Sequence, residues 1–200
     1  MPQADTEKAL RLLKKRGPLL SAEELAGQGV ARVELTRLAR EGLIERVTRG
    51  VYMFADSAPS EHFTLAAMAM RAPQSVVCLY SALQFHNITT QSPHQIWLAV
   101  DNKAHKPTSD WPPLHVVRFT KRALTLGVEV HVIDGISVRI TSPARTVVDC
   151  FKYSREMEFD VAVEALRDYL QATGDHEALW RAAEIQKITS IMRPYLEVLS

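Results

Sequence analysis

Residues 35–54, LTRLAREGLIERVTRGVYMF, change their hydrophobic period within a few turns of chain. Leu35, Leu38 and Ala39 recur at helical spacing, Glu41-Gly42 breaks that pattern, and LIERV and VYMF then read as two short strands around a Thr-Arg-Gly turn. Extended backwards by one turn, the helix covers about 31–41 and puts Ala31, Leu35, Leu38 and Ala39 on one face. On another face Arg32, Thr36 and Arg40 form an i, i+4, i+8 stripe, with Val33 and Arg37 beside it. One face packs and the other presents hydrogen-bond donors.

The sequence before this stretch supplies the elements such a unit needs. In LLSAEEL, Ser21 and Glu24 have the spacing of a capping box, and Leu20 and Leu25 that of a hydrophobic staple, so a short helix starts at Ser21 and ends near 27–29. An earlier helix, Thr6 to Lys15, carries Ala9, Leu10, Leu12 and Leu13 and stops at Gly17-Pro18. Three short helices and a hairpin, in this order, make a winged helix-turn-helix, a compact arrangement in which helices this short can bury a shared core. Arginines on a helix are by themselves an ordinary solvated surface. Here Arg32, Arg37 and Arg40 fall on the third helix and Arg46 and Arg49 on the hairpin, the positions of a recognition helix and a wing. Glu34 and Glu41 would repel phosphates and are expected to point away from a nucleic-acid backbone.

After the hairpin, ADSAPSE (55–61) is small, polar and proline-containing, and reads as a linker. The expected division is a winged helix-turn-helix DNA-binding domain over 1–55 and a mixed α+β domain over 60–200, giving an α+β chain overall. In the second part, a helix at Glu61 to Arg71 precedes the apolar SVVCLYSALQFH, and QIWLAV (95–100), LHVVRF (114–119), VEVHVI (128–133) and ISVRIT (136–141) read as strands. Asp134-Gly135 between the last two is a type I′ turn signal. From Ser142 onward the pattern is helical, with Ser142 as a cap, Pro143 in the first turn, a helix near His176 to Ile185 and a last helix interrupted at Pro194.

Composition narrows the function. Hydrophobic residues make up 46% and charged residues 24%, a globular balance, and no apolar run approaches the roughly 20 residues that cross a bilayer. With no membrane anchor or signal-peptide pattern in the first residues, a cytoplasmic location is expected. Cys78 and Cys150 lie in apolar surroundings that favour reduced, buried thiols. The net charge of +1 is uneven: residues 1–54 hold ten Lys and Arg against seven Asp and Glu, a net +3, and the remainder holds 14 against 16, a net −2. The basic excess lies where a DNA contact would need it.

Motifs for catalysis or metal binding are sparse. The histidines at 62, 86, 94, 105, 115, 131 and 176 show no ligand spacing with one another or with cysteine, and glycine-rich phosphate loops and a GxSxG elbow are missing. No catalytic residue, cofactor or metal is expected. Ser81 and His86 are five residues apart on one helical segment, a poor spacing for contact, and read as structural. Asp101-Asn102-Lys103 after QIWLAV is the acidic-x-Lys arrangement by which some nucleases hold Mg²⁺, but a polar loop accounts for it as well. In SPARTVVDCFKY, Arg145 and Asp149 have helical ion-pair spacing, and in a buried helix the pair would organise the core.

LTRLAREGLIERVTRGVYM, PSEHFTLAAMAMRAP, CLYSALQFHNITTQSPHQIWLAV, PPLHVVRF, SPARTVVDCFKY, DVAVEALRDYL and MRPYLEVL, taken in this order, resemble the AbiEi-type antitoxins of bacterial type IV toxin–antitoxin systems. The resemblance runs along essentially the whole chain. It implies a winged-helix domain that binds inverted repeats of double-stranded DNA in its own promoter and represses the operon. It further implies a C-terminal domain needed to neutralise an AbiEii-like nucleotidyltransferase toxin, described as acting without a stable antitoxin–toxin complex. Carried onto this chain, the DNA-contacting set is Arg32, Val33, Thr36, Arg37, Arg40, Arg46 and Arg49. Ala31 and Glu34 depart from the proline and tyrosine of the family pattern near the start of that helix, so an operator sequence does not carry over. The competing readings are a winged-helix repressor whose C-terminal domain senses a ligand or a protein, and a Mg²⁺-dependent nuclease using Asp101 and Lys103.

Overall fold

The computed structural model describes residues 11, 17–91 and 93–198. Backbone contacts divide the chain into two compact units, one of residues 1–74, 107–113 and 131–138 and one of residues 75–106, 114–130 and 139–200. The helix expected at Thr6 to Lys15 lies, Arg11 apart, outside the described residues.

In the first unit Ser21 starts α1 (Ala22–Gly27) with the expected reciprocal cap: its Oγ accepts from the Glu24 N–H at 3.0 Å, and its own N–H donates to Glu24 Oε2 at 3.0 Å. The second described helix, α2 (Arg32–Arg40), is closed by Gly42 in the left-handed region, φ +71°. The hairpin follows as β2 (Ile44–Thr48) and β3 (Val51–Phe54). A strand missed in the sequence, β1 (Leu19–Ser21), pairs antiparallel with β3, giving the order β1-β3-β2. Leu20, Leu25, Val30, Leu35, Leu38 and Ile44 form the core beneath, so the apolar face of α2 packs as its period required. The same unit takes in α3 (Phe63–Arg71), which packs on β1 and β3.

Two later segments complete this unit. In residues 107–113, the Trp111 ring lies 6.3 Å from that of Phe63. In residues 131–138, Asp134 and Gly135 both have positive φ, 49° and 81°, the conformation a type I′ turn demands. The Asp134 carboxylate accepts from the N–H and the hydroxyl of Ser60 at 3.2 and 2.9 Å, tying down the segment read as a linker.

The second unit is built on a mixed sheet of order β6-β5-β4-β8-β7. Its strands are β4 (Val76–Val77), β5 (Ile96–Asp101), β6 (Leu114–Phe119), β7 (Val128–Ile133) and β8 (Ile136–Thr141), the last two contributing their residues outside 131–138. β5 runs parallel to β6 and antiparallel to β4, and β4 runs parallel to β8. Around it lie α4 (Leu79–Phe85), α5 (Pro143–Lys152), α6 (Phe159–Thr173), α7 (His176–Gln186) and α8 (Thr189–Val198). Ser142 caps α5 by accepting from the Arg145 N–H, with Pro143 in the first turn. The mixed α+β character expected from the sequence is what the chain adopts. One expectation fails: α8 is not interrupted at Pro194 but continues through it. The missing N–H removes one intrahelical bond, and the buried Met192 and Leu196 on either side hold the helix in the core against that loss.

α5 is the buried centre of this unit, with every residue from 144 to 151 inside. Its two charged members answer one another, Arg145 Nε donating to Asp149 Oδ1 at 2.8 Å. The rest of the guanidinium is satisfied by the carbonyl oxygens of Leu126 and, at 3.2 Å, Ala123, which fastens the 120–127 turn to the helix. Gly127 is needed here: its φ is +66°, and a Cβ would come within 3.2 Å of the Arg145 side chain. Among the described residues Asp149 Oδ2 has no hydrogen-bond partner, and burial pushes the carboxyl up to about 6, against the lowering effect of Arg145 and Lys152. Cys78 and Cys150 are free and buried, and burial raises both thiols.

Candidate nucleic-acid interface

With Leu35 and Leu38 turned inward, the outward face of α2 is set by residues off their i, i+3, i+4 row, Val33, Thr36 and Arg40 each lying two positions from one of these leucines. Arg32, Val33, Thr36 and Arg40 are exposed. Val33 is 76% exposed, a large apolar side chain displayed between cationic and hydroxyl groups. Such a mixture suits the edges of bases, where guanidinium and hydroxyl groups meet acceptors and an aliphatic group meets the thymine methyl. The Thr36 hydroxyl donates back to the Arg32 carbonyl at 3.3 Å, which orients it on the helix and leaves its oxygen able to accept. Val33, Glu34, Thr36, Arg37 and Arg40 line a shallow hollow of about 260 Å³ on this side of the unit.

Arg37 is placed differently. Its Nε donates to Glu34 Oε2 at 3.0 Å, its Nη2 pairs with Glu34 Oε1, and its Nη1 donates to Glu41 Oε1 at 2.8 Å. The i+3 and i+4 spacings of 34, 37 and 41 bring two carboxylates to one guanidinium. The acids expected to repel phosphate are thus partnered along the helix, and Glu34 is buried.

The wing carries the other two arginines. Strand register runs regularly to Arg46 opposite Tyr52, slips, and resumes with Thr48 opposite Val51, a bulge at Val47 just before the Arg49-Gly50 tip. Gly50 has φ +80°, and its carbonyl accepts from the Ala22 N–H at 2.8 Å, which joins the tip to the start of α1. Arg49 is exposed at the tip, and Arg46 is exposed with its Nη2 3.6 Å from Asp110 Oδ2. Next to it, Thr48 Oγ1 lies 3.2 Å from Ser109 Oγ and accepts from Arg71 Nη1 at 3.3 Å. Arg71, Ser109 and Asp110 were not singled out in the sequence. Nothing local could have found Ser109 and Asp110, some sixty residues downstream of the hairpin they touch.

The other candidates resolve into structure. Asp101 Oδ1 accepts from the Lys103 N–H at 2.8 Å, a local turn closed on itself. Ser81 Oγ accepts from the Trp97 N–H at 3.0 Å, and His86 Nε2 lies 2.7 Å from the Thr141 carbonyl, so the two serve different neighbours. Among the described residues no group of three His, Cys, Asp or Glu side chains is placed to hold a metal ion, and no helix is long and apolar enough to cross a membrane.

Residues 7–55 match the family described as "Transcriptional regulator, AbiEi antitoxin". The match covers α1, α2, the hairpin and the exposed residues of α2 and the wing, but not Arg71, Ser109 or Asp110, and the resemblance to AbiEi antitoxins holds over this segment. That family is one of regulators rather than enzymes. No curated protein matches the sequence. Among solved structures, the RV2827C protein from Mycobacterium tuberculosis superposes with a TM-score of 0.64 at 16% identity, over 96% of this chain and 77% of that one. At this identity the likeness is one of fold.

Proposed function

We propose that this chain is a sequence-specific DNA-binding antitoxin that represses its own type IV toxin–antitoxin operon and neutralises an AbiEii-like nucleotidyltransferase toxin in the bacterial cytoplasm. The observation that carries the DNA half is the exposed set Arg32, Val33, Thr36 and Arg40 on a helix whose other face is core, beside a wing with Arg46 and Arg49, all inside the regulator-matching segment. Arg32, Thr36 and Arg40 meet base edges in the major groove, Val33 meets a thymine methyl, and Arg46 and Arg49 meet phosphates. Arg37 reaches a phosphate only by releasing a carboxylate, so its first role is to hold α2. No catalytic group, cofactor or metal enters this reading.

A gel shift of the purified chain on its own upstream region against scrambled DNA, at two salt concentrations, tests it. Selective shifting of the upstream DNA is expected, through inverted repeats each read by one chain. Equal shifting of both DNAs would reduce the surface to a non-specific phosphate binder. The antitoxin half is tested by growth rescue: co-expression should relieve the toxicity of the neighbouring nucleotidyltransferase-like gene product. An unrelated gene in that position would favour the ligand- or protein-sensing repressor instead.

A further inference from the structure

We infer that the second unit holds a binding site for a phosphate dianion, free or as the end of a monoester, formed by Arg122, Lys152 and Lys187 around a hollow of about 250 Å³. The three cations come from three places in the chain. Arg122 is in the turn after β6, Lys152 is the last residue of α5, and Lys187 caps the C-terminus of α7. Thr120 and the buried Gln186 complete the polar lining, and no described residue of that lining carries a carboxylate. Arg122 and Lys187 have no ion pair among the described residues.

The groups are arranged as donors. Lys152 Nζ donates to Gln186 Oε1 at 2.6 Å, which fixes the ammonium and leaves it two further protons and the amide its N–H₂. The Thr120 hydroxyl oxygen accepts from the Ala123 N–H at 3.3 Å and keeps its own proton to give. A guanidinium, two ammonium groups, a hydroxyl and an amide match the many acceptor sites of a phosphate dianion better than the two oxygens of a carboxylate. The buried acid Asp149, three residues before Lys152 on α5, is hydrogen-bonded by Arg145 at 2.8 Å and acts on the Lys152 ammonium only through its field. Desolvation lowers the Lys152 ammonium, and a bound dianion would restore it.

Cations at helix C-termini also offset the partial charge of the last carbonyls, which accounts for Lys152 and Lys187 singly. It does not account for Arg122, which lies in a turn, or for the convergence of all three on one hollow. That hollow falls below the roughly 300 to 1,000 Å³ of sites that enclose whole drug-sized ligands. It holds a phosphate and the first atoms attached to it, so the ligand is inorganic phosphate or the phosphorylated end of a nucleotide or sugar.

Calorimetric titration of the full chain with inorganic phosphate, adenosine 5′-monophosphate and acetate, at constant ionic strength, tests the site. Both phosphates should bind and acetate should not. Tighter binding of the nucleotide than of phosphate would identify an esterified ligand, and equal binding the free anion. Arg122→Gln and Lys187→Gly should each weaken phosphate at least fivefold with unchanged circular dichroism. Glycine is used at 187 because φ there is +59°, a conformation it adopts freely. Wild-type affinity in both variants, or acetate binding as well as phosphate, would overturn the proposal. So would amide NMR shifts on phosphate addition that fall outside residues 120–123, 152 and 185–187. Binding of duplex DNA at these residues with no binding of the monoesters would assign the cluster to a nucleic-acid backbone and overturn it too. The inference stands apart from the DNA reading, since the ligand and the readout differ.

Discussion

Arg37 and Arg40 sit one turn apart on α2 but face different partners. Arg40 is exposed on the stripe with Arg32 and Thr36, whereas Arg37 is held between Glu34 and Glu41. Replacing Arg40 by Ala should therefore weaken operator binding by about 1 to 3 kcal/mol if it reads a base, and scrambled DNA by less. An equal loss on the two DNAs, measured by gel shift, would move Arg40 to the phosphate-contacting class. Arg37→Ala should show chiefly as a lower urea midpoint, because it removes the ion pairs that Arg37 makes along the helix with the buried Glu34 and with Glu41. The stripe was legible because helical period alone decides which residues share a face. The capture of Arg37 was legible too, in the spacing of 34, 37 and 41, yet the sequence reading counted it with the DNA-contacting residues. In the core, Arg145→Ala should cost about 3 to 5 kcal/mol in urea unfolding, since Asp149 would be left buried and unpaired. Asp149 also gives the fold a pH dependence. Its folded value of about 6 lies above the ordinary 3.8, so the native state binds the proton more tightly, and stability falls as pH rises from about 4 to about 6, then levels. Unfolding of the wild type and of Asp149→Asn should diverge over this window, the wild type losing on the order of 2 to 3 kcal/mol relative to the variant. Parallel curves would mean that Arg145 keeps the carboxyl ionised throughout.

At the scale of elements, the wing has a neighbour that competes with DNA. Asp110, in the 107–113 segment, lies 3.6 Å from the arginine proposed to hold a phosphate, Arg46. Asp110→Asn should tighten DNA binding, operator and scrambled alike, by up to about 1 kcal/mol, the scale of an exposed ion pair. The gain should vanish in an Arg46→Ala background; persistence there would show that Asp110 acts by general repulsion instead of through its pair. The segment escaped the sequence because contacts between distant stretches leave no local trace. The same reason hid β1 and β4, three and two residues long, whose pairing lies elsewhere in the chain. Elements with their own signals were read almost to the residue: β6, β7 and β8 from alternation, the Asp134-Gly135 turn from its residue types, and α1 and α5 from their caps. Pro194 misled, since proline has a breaking tendency that tertiary packing overrode.

For the whole molecule, charge is divided as binding and specificity are. With a net +1 over the chain and the excess of +3 confined to residues 1–54, no broad electrostatic attraction to DNA is available. Salt dependence should then reflect the few designated contacts. Two phosphates per chain, at Arg46 and Arg49, give a slope near −1.8 and a loss of roughly tenfold per bound chain between 50 and 200 mM salt. A much steeper slope, measured by fluorescence anisotropy, would mean that further cations reach the backbone. The first unit, meanwhile, gathers its residues from 1–74, 107–113 and 131–138, with Ser109 beside Thr48, Asp110 beside Arg46 and Asp134 beside Ser60. A gene fragment ending after the hairpin or after α3 would encode the reading helix and wing without these partners. The regulator segment is therefore poorly suited to recombination as an interchangeable cassette: transplanted onto another effector, it would leave part of its own support behind, so the two halves of such a gene are expected to diverge together rather than be shuffled apart.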